Sequence, residues 1–197
     1  MLDSNKVAEF FNKCAPSWDD NTIRDEEKIK LILDNANVKK DVKVLDVACG
    51  TGVLIPDYLK REVASVKAID ISSAMIEKAR EKFGSEENVG FVCGDVMNTD
   101  VGKDYDAIVV YNAFPHFADP EGLISHLSDL LVPGGTLTVA HGMGREHIDN
   151  HHKQGASDVS LGLISAEEMA GLFSKKLKVS TIISTDELYQ LAGQREL

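Results

Sequence analysis

Val44-Leu45-Asp46-Val47-Ala48-Cys49-Gly50-Thr51-Gly52 decides how this chain folds. The apolar run over 42–47 reads as a strand, and 49–52 as the glycine turn it enters. Gly50 and Gly52 carry no Cβ, so backbone there can lie close against a ligand. In an open parallel sheet, ligands bind beyond the carboxyl ends of the strands, where this first loop sits.

Outward from the turn, strand-like runs alternate with amphipathic stretches, the pattern of a parallel sheet covered by helices. Before it, Val7, Phe10, Phe11 and Cys14 fall at helical spacing up to Pro16, and Ile29, Ile32, Leu33 and Ala36 share one face of a second helix. After it come a helix over 53–61 and a strand over 66–71. The next helix is capped by Ser72 or Ser73, turns Met75, Ala79 and Phe83 inward, and stops at Gly84. Strands follow over 89–93 and 105–111. Asp119-Pro120-Glu121 opens a helix whose buried face carries Leu123, Leu127, Leu130 and Leu131. Pro133-Gly134-Gly135 reads as a turn before a strand over 136–140, and Ser165 with Glu168 makes a capping box. Runs over 178–184 and 187–194 are joined too closely for a helical crossover, so they predict a hairpin.

The expected fold is therefore α/β: a doubly wound three-layer sandwich with a mostly parallel seven-stranded sheet and a C-terminal antiparallel hairpin. A single domain over 1–197 divides into N-terminal helices at 1–37 forming part of a lid, a ligand-binding core at 42–140, a substrate lid at 141–164, and the last helix and hairpin at 165–197.

Composition narrows the function classes. A net charge of -11 repels phosphate backbones and anionic lipid, and the basic pairs Lys39-Lys40 and Lys175-Lys176 are short. No apolar run reaches the roughly 20 residues needed to cross a bilayer, and the start MLDSNKVAEFF lacks a signal-peptide layout. Cys14, Cys49 and Cys93 are odd in number and far apart, which argues for a reducing compartment. The expectation is a cytoplasmic protein with a small-molecule substrate, no nucleic acid partner and no membrane partner. The sequence leaves the oligomeric state open.

Spacing gives the glycine turn its meaning. Asp70 follows Asp46 by 24 residues, at the end of the second strand, where a carboxylate can accept both hydroxyls of a ribose. Asp95 follows the third strand, where it can accept from an adenine amino group, with Val96 against the ring.

These residues resemble the class I S-adenosylmethionine-dependent methyltransferases. DVACGTG at 46–52 resembles the family's glycine motif, DISSAMIEKAR at 70–80 its ribose motif, and GDV at 94–96 its adenine motif. YDAIVVYNAFPHF at 105–117 resembles the fourth-strand motif bordering the transferred methyl, and LLVPGGTLTV at 130–139 the turn into the fifth strand. FFNKCAPSWDD at 10–20 is similar to the opening of small-molecule members, including the menaquinone and ubiquinone C-methyltransferases. The resemblance implies S-adenosylmethionine as cofactor. Asp46, Ala48, Gly50 and Gly52 would line its methionine end, and Asp70 would hold the ribose. Ile71, Met75, Asp95 and Val96 would form the adenine pocket, Asn112 would lie near the methyl, and Trp18 would close over the cofactor. The third glycine of a GxGxxG dinucleotide fingerprint is absent, because Ile55 takes its place.

All six histidines lie between His116 and His152. His126 borders an apolar stripe and reads as structural. His116 follows the fourth strand and His141 the fifth, so both are candidate catalytic bases. Phe114, Arg145 and His147 are the candidate substrate residues, with Arg145 available to an anionic group. His147 and His151 would share a helix face, a spacing compatible with a metal and equally with a solvated surface, and no metal is assigned. As a strand-end acid, Asp70 is expected to be replaceable by alanine with loss of cofactor binding and an intact fold. A non-catalytic S-adenosylmethionine-binding sensor or partner subunit, and a nucleotide-dependent oxidoreductase, are the alternatives to a methyltransferase.

Overall fold

The computed structural model describes residues 2–196, without side chains for 151–154. Seven strands form one sheet: β1 (Lys43–Val47), β2 (Ser65–Asp70), β3 (Val89–Cys93), β4 (Tyr105–Tyr111), β5 (Leu131–His141), β6 (Lys178–Ser184) and β7 (Tyr189–Gln194). Their order is β3-β2-β1-β4-β5-β7-β6. The first five are parallel, while β7 runs antiparallel to β5 and β6. The α/β class, the parallel core and the terminal hairpin are as the sequence predicts.

The helices are α1 (Ser4–Cys14), α2 (Trp18–Asn21), α3 (Glu26–Asn35), α4 (Ile55–Lys60), α5 (Ser73–Phe83), α6 (Pro120–Asp129), α7 (Arg145–Gly155) and α8 (Ala166–Phe173). Strand alternation divides the core between the two faces of the sheet. Val44, Ala107 and Val109 pack with Ile29 and Leu33 of α3, Tyr58 of α4 and Ile76 of α5. Leu45, Val47, Ile108 and Val110 pack with Leu123 and Leu127 of α6 and Met169 and Phe173 of α8. Helices therefore cover both faces of a sheet whose central strands are apolar on both sides, as parallel sheets require.

The local signals act as expected at most helix starts. Ser72 caps α5 by accepting from Met75 N at 3.2 Å, and Asp119 caps α6 by accepting from Gly122 N at 2.9 Å. The Ser165–Glu168 box closes in both directions at the start of α8. Three readings change. Leu131, expected on the buried face of the helix that Asp119 caps, lies beyond its end and opens β5. Pro133-Gly134-Gly135 does not precede β5 but lies inside it: β4 pairs Tyr105 with Leu131 and then Ala107 with Thr136, so the extra residues form a bulge, with Gly134 at φ 81°. The segment over 141–164 contains the regular helix α7, whose spacing the sequence reading noted only for its histidines. The side chain of His151, one half of the considered metal pair, lies outside the described residues, as does that of His152.

Sheet order reverses between β1 and β4, both of which carry their crossovers away from this line. The cleft beyond their carboxyl ends is where such a sheet accepts a ligand.

Candidate active site

The loop after β1 is held in an unusual conformation by a few contacts. Ala48 and Gly50 both have φ 56°, and Gly52 has φ 85°. A left-handed alanine is strained, and strain of this kind persists only where its surroundings impose it. A Cβ on Gly52 would lie 2.8 Å from Ile55 Cδ1 and 3.0 Å from the Phe83 ring, so that position packs α4 and α5 against the turn.

Asp70 ties this loop to the next helix. Its Oδ2 accepts from Gly50 N and its Oδ1 from Ser72 N, both at 2.8 Å. Two backbone donors from different segments thus converge on one carboxylate. Replacing Asp70 by alanine would strand both, which corrects the expectation that the fold would be untouched.

Asp46, one strand away, is 2% exposed, and its Oδ2 has no hydrogen-bond partner among the described residues. Burial first, and then the Asp70 charge, push its carboxyl up to about 8. Burial also raises Asp70, against the lowering pull of the Ser72 and Gly50 amides.

A cavity of about 710 Å³ opens beyond the strand ends. Ala48, Gly50, Asp70, Ile71, Met75, Asp95, Val96 and Asn112 line it, together with Trp18, His116 and His141. Five other candidates do not. Asp46 and Gly52 sit behind the wall they shape. Phe114 is 1% exposed within the core. Arg145 Nε instead donates to Leu163 O at 2.7 Å, and His147 is exposed on α7. Asp95 has work besides the cavity, since its Oδ1 accepts from Met97 N at 3.0 Å in its own turn.

The N-terminal segment roofs the cavity through side chains that the sequence reading did not select. Asn12 Oδ1 accepts from Ser72 Oγ at 2.8 Å and from Ala74 N at 3.1 Å. Asp19 accepts from Thr51 Oγ1 in the glycine loop, and from Lys82 Nζ at 2.9 Å. Arg24 Nη2 meets Asp57 Oδ2 at 2.7 Å. Phe11 joins the roof to the floor: its ring centroid lies 5.8 Å from Trp18 and 4.9 Å from His116. Local pattern does not single out Asn12, Asp19 or Arg24 for these contacts, because the partners named here lie 32 to 63 residues away.

The far end of the cavity is framed by β4 and β5. Asn112, at φ 53°, accepts from Gly142 N at 2.9 Å through its side chain and donates from its own N to Ala140 O at 2.9 Å. It clamps the two strand ends together. His116 Nδ1 lies 2.7 Å from Val159 O. A carbonyl can only accept, so Nδ1 carries the hydrogen and Nε2 is the basic nitrogen of the neutral ring. His141 is 3% exposed at the tip of β5. Among the described residues no cluster of histidine, cysteine and carboxylate could hold a metal ion.

Residues 44–135, from β1 into the start of β5, match the methyltransferase-domain family. Over that segment the chain carries a methyltransferase domain. It is 28% identical over 193 residues to malonyl-[acyl-carrier protein] O-methyltransferase 1 of Ilyobacter polytropus, covering 95% of this chain and 71% of that one. It is also 28% identical to the ubiquinone/menaquinone biosynthesis C-methyltransferase UbiE of Campylobacter jejuni, covering 74% and 67%. The chain spans between 49% and 71% of the length of the malonyl-[acyl-carrier protein] methyltransferases it matches. The methyltransferase domain shares its fold with N-methyltransferase NodS of Bradyrhizobium japonicum in complex with S-adenosyl-L-homocysteine, at a TM-score of 0.74 and 13% identity, covering 98% and 97%.

S-adenosylmethionine is the cofactor of this domain, and the residues present fit it. The left-handed Gly50 leaves bare backbone on the cavity wall, and acidic and apolar groups alternate along the wall from Asp70 to Val96.

Proposed function

We propose that the chain transfers the methyl group of S-adenosylmethionine to a small-molecule acceptor held between the ends of β4 and β5 and the N-terminal roof. One observation carries this reading: the bent glycine loop pinned by Asp70 opens into the same cavity as two histidines, one in the turn after β4 and one at the end of β5. Ala48 and Gly50 would hold the methionine end. Asp70 would hold the ribose, with Ile71, Met75, Asp95 and Val96 around the adenine. When bound, S-adenosylmethionine supplies a methyl already made electrophilic by its sulfonium, so no separate activation of the donor is needed.

The protein's own task is then to place the acceptor in line and keep water out. Trp18 and Phe11 exclude water from above, and Asn112 fixes the separation of the two strand tips. His116, with its tautomer set by Val159, or His141 accepts the proton that an oxygen, nitrogen or carbon acceptor loses.

The direct test is calorimetry with S-adenosyl-L-homocysteine and with NADH, followed by detection of S-adenosyl-L-homocysteine released during turnover. Micromolar binding of the first ligand and none of the second is expected. Tight NADH binding alone would defeat the reading, and binding without turnover on any acceptor would favour a sensor.

A further inference from the structure

Among the described residues, the arginine charge on this cavity's wall is already neutralised by the protein itself. Among the described residues the cavity wall holds one arginine and no lysine, and that arginine is Arg24. Its guanidinium meets Asp57 Oδ2 at 2.7 Å and Glu26 Oε1 at 3.1 Å, and also donates to Val53 O. Two nearby cations among the described residues are engaged as well. Arg145 donates to Leu163 O at 2.7 Å and faces Asp149 at 3.8 Å, while Lys28 faces Asp25 at 3.6 Å.

Beside the polar Asn112, His116 and His141, the wall carries the apolar Ile23, Ile29, Phe117, Met143 and Ile148. Ile23 is 88% exposed and Met143 46%, so two large apolar side chains stand bare beside the cavity. The wall also includes Asp119, and the chain as a whole carries a charge of -11. A carboxylate entering here would lose its hydration and find no unpaired arginine or lysine among the described residues, at a cost that an uncharged molecule escapes.

We infer that the acceptor is an uncharged, largely apolar molecule bearing one weakly acidic group, and that carboxylate acceptors are rejected. This rests on the methyltransferase reading above. It separates the chain from relatives named for a malonyl substrate, since a malonyl thioester ends in a free carboxylate.

The test uses the full chain saturated with S-adenosyl-L-homocysteine at pH 7 and two probes of one shape, 1-naphthol and 1-naphthoate. Binding of each is followed by calorimetry. At least about tenfold tighter binding of the naphthol is expected, the cost of one poorly compensated charge. Asp57→Asn should release the Arg24 guanidinium and shrink that preference, and Glu26→Gln, at an exposed partner, should shrink it less.

Equal or tighter binding of naphthoate by the unaltered protein would overturn the inference. So would an unchanged preference in both folded variants, or failure of both probes to bind. Failure of S-adenosyl-L-homocysteine itself to bind would bring down the methyltransferase reading as well, so the two failures are told apart by the first titration.

Discussion

Beyond β1 and β2 the cavity wall is shaped by a glycine loop with left-handed dihedral angles, fixed by one carboxylate; beyond β4 and β5 it is shaped by side chains held from distant segments. At the first end, Gly50 and Ser72 lie 20 and 2 residues from the Asp70 that binds them both. At the second, His116 is oriented by Val159, which is 43 residues away. Leu161 N donates to Pro115 O at 2.9 Å and pins the same crossing. A loop fixed in left-handed conformation constrains what binds to one shape. A wall of side chains can be exchanged without disturbing the sheet, which is how one fold serves many acceptors.

This contrast is broken most severely at Asp70. Asp70→Ala should weaken S-adenosyl-L-homocysteine binding by roughly a thousandfold. It should also destabilise the protein by about 2–4 kcal/mol, because two amide donors lose a charged acceptor. Calorimetry and thermal melting read the two effects separately. A variant that lost affinity with an unchanged melting temperature would show that the Gly50 and Ser72 amides do not depend on this carboxylate.

On the other side the expected effect moves from binding to turnover. His116→Ala and His141→Ala should each leave cofactor affinity within about twofold. The one that serves as base should lower turnover by about a hundredfold. Normal turnover in both would mean that neither accepts the proton. Arg145→Ala should change neither acceptor KM nor cofactor affinity, since its guanidinium is directed to Leu163 O rather than to the cavity. A large rise in KM would return it to the acceptor site.

The same division governs what the sequence discloses. The strand–turn–acid spacing of Asp46, Gly50, Gly52 and Asp70 is local, and period-2 and period-3.6 patterns lead directly to the layered sheet. The acceptor end resists reading because its geometry is tertiary. Phe114 lies in a motif that borders the cavity, yet it turns into the core, while Phe117, three residues on, reaches the wall. Asn12 and Asp19 lie in the opening segment expected to form part of a lid, yet nothing in the sequence names Ser72, Thr51 or Lys82 as their partners. Pro133-Gly134-Gly135 carries every mark of a turn, and only the pairing of β4 with β5 reveals that the strand continues through it.

Asp46 gives a smaller effect with a defined sign. Its carboxyl titrates near 8 in the folded protein, against an ordinary value of 3.8. The folded state therefore holds this proton more tightly than the unfolded chain does. Stability from this group is complete below about pH 4 and is lost as pH rises toward 8. Between pH 5.5 and 8.5 the ligand-free protein should lose more stability than Asp46→Asn, by on the order of 1 kcal/mol or more. Cys49 and Tyr58, both raised by burial and by the Asp46 charge, titrate above this window. Parallel melting curves across the range would place the Asp46 carboxyl in an ordinary environment.

The finest comparison concerns the roof, which spans both ends of the cavity. Lys82 on α5 holds Asp19 at 2.9 Å, and Asp19 also accepts from Thr51 of the glycine loop. The lysine and aspartate side chains are 36% and 45% exposed, so solvent and salt screen the pair. Lys82→Ala should cost no more than about 0.5 kcal/mol of stability. Its informative consequence is kinetic. If the Asp19 contacts hold the roof down over the cofactor, the variant should release S-adenosyl-L-homocysteine about twofold faster at low salt. The difference should fade as ionic strength rises, because screening already removes the same attraction from the unaltered protein. Stopped-flow dissociation at two salt concentrations measures this. An off-rate indifferent to both lysine and salt would assign the closure to the neutral contacts of Asn12, Phe11 and Trp18, and the charged latch would then be surface decoration.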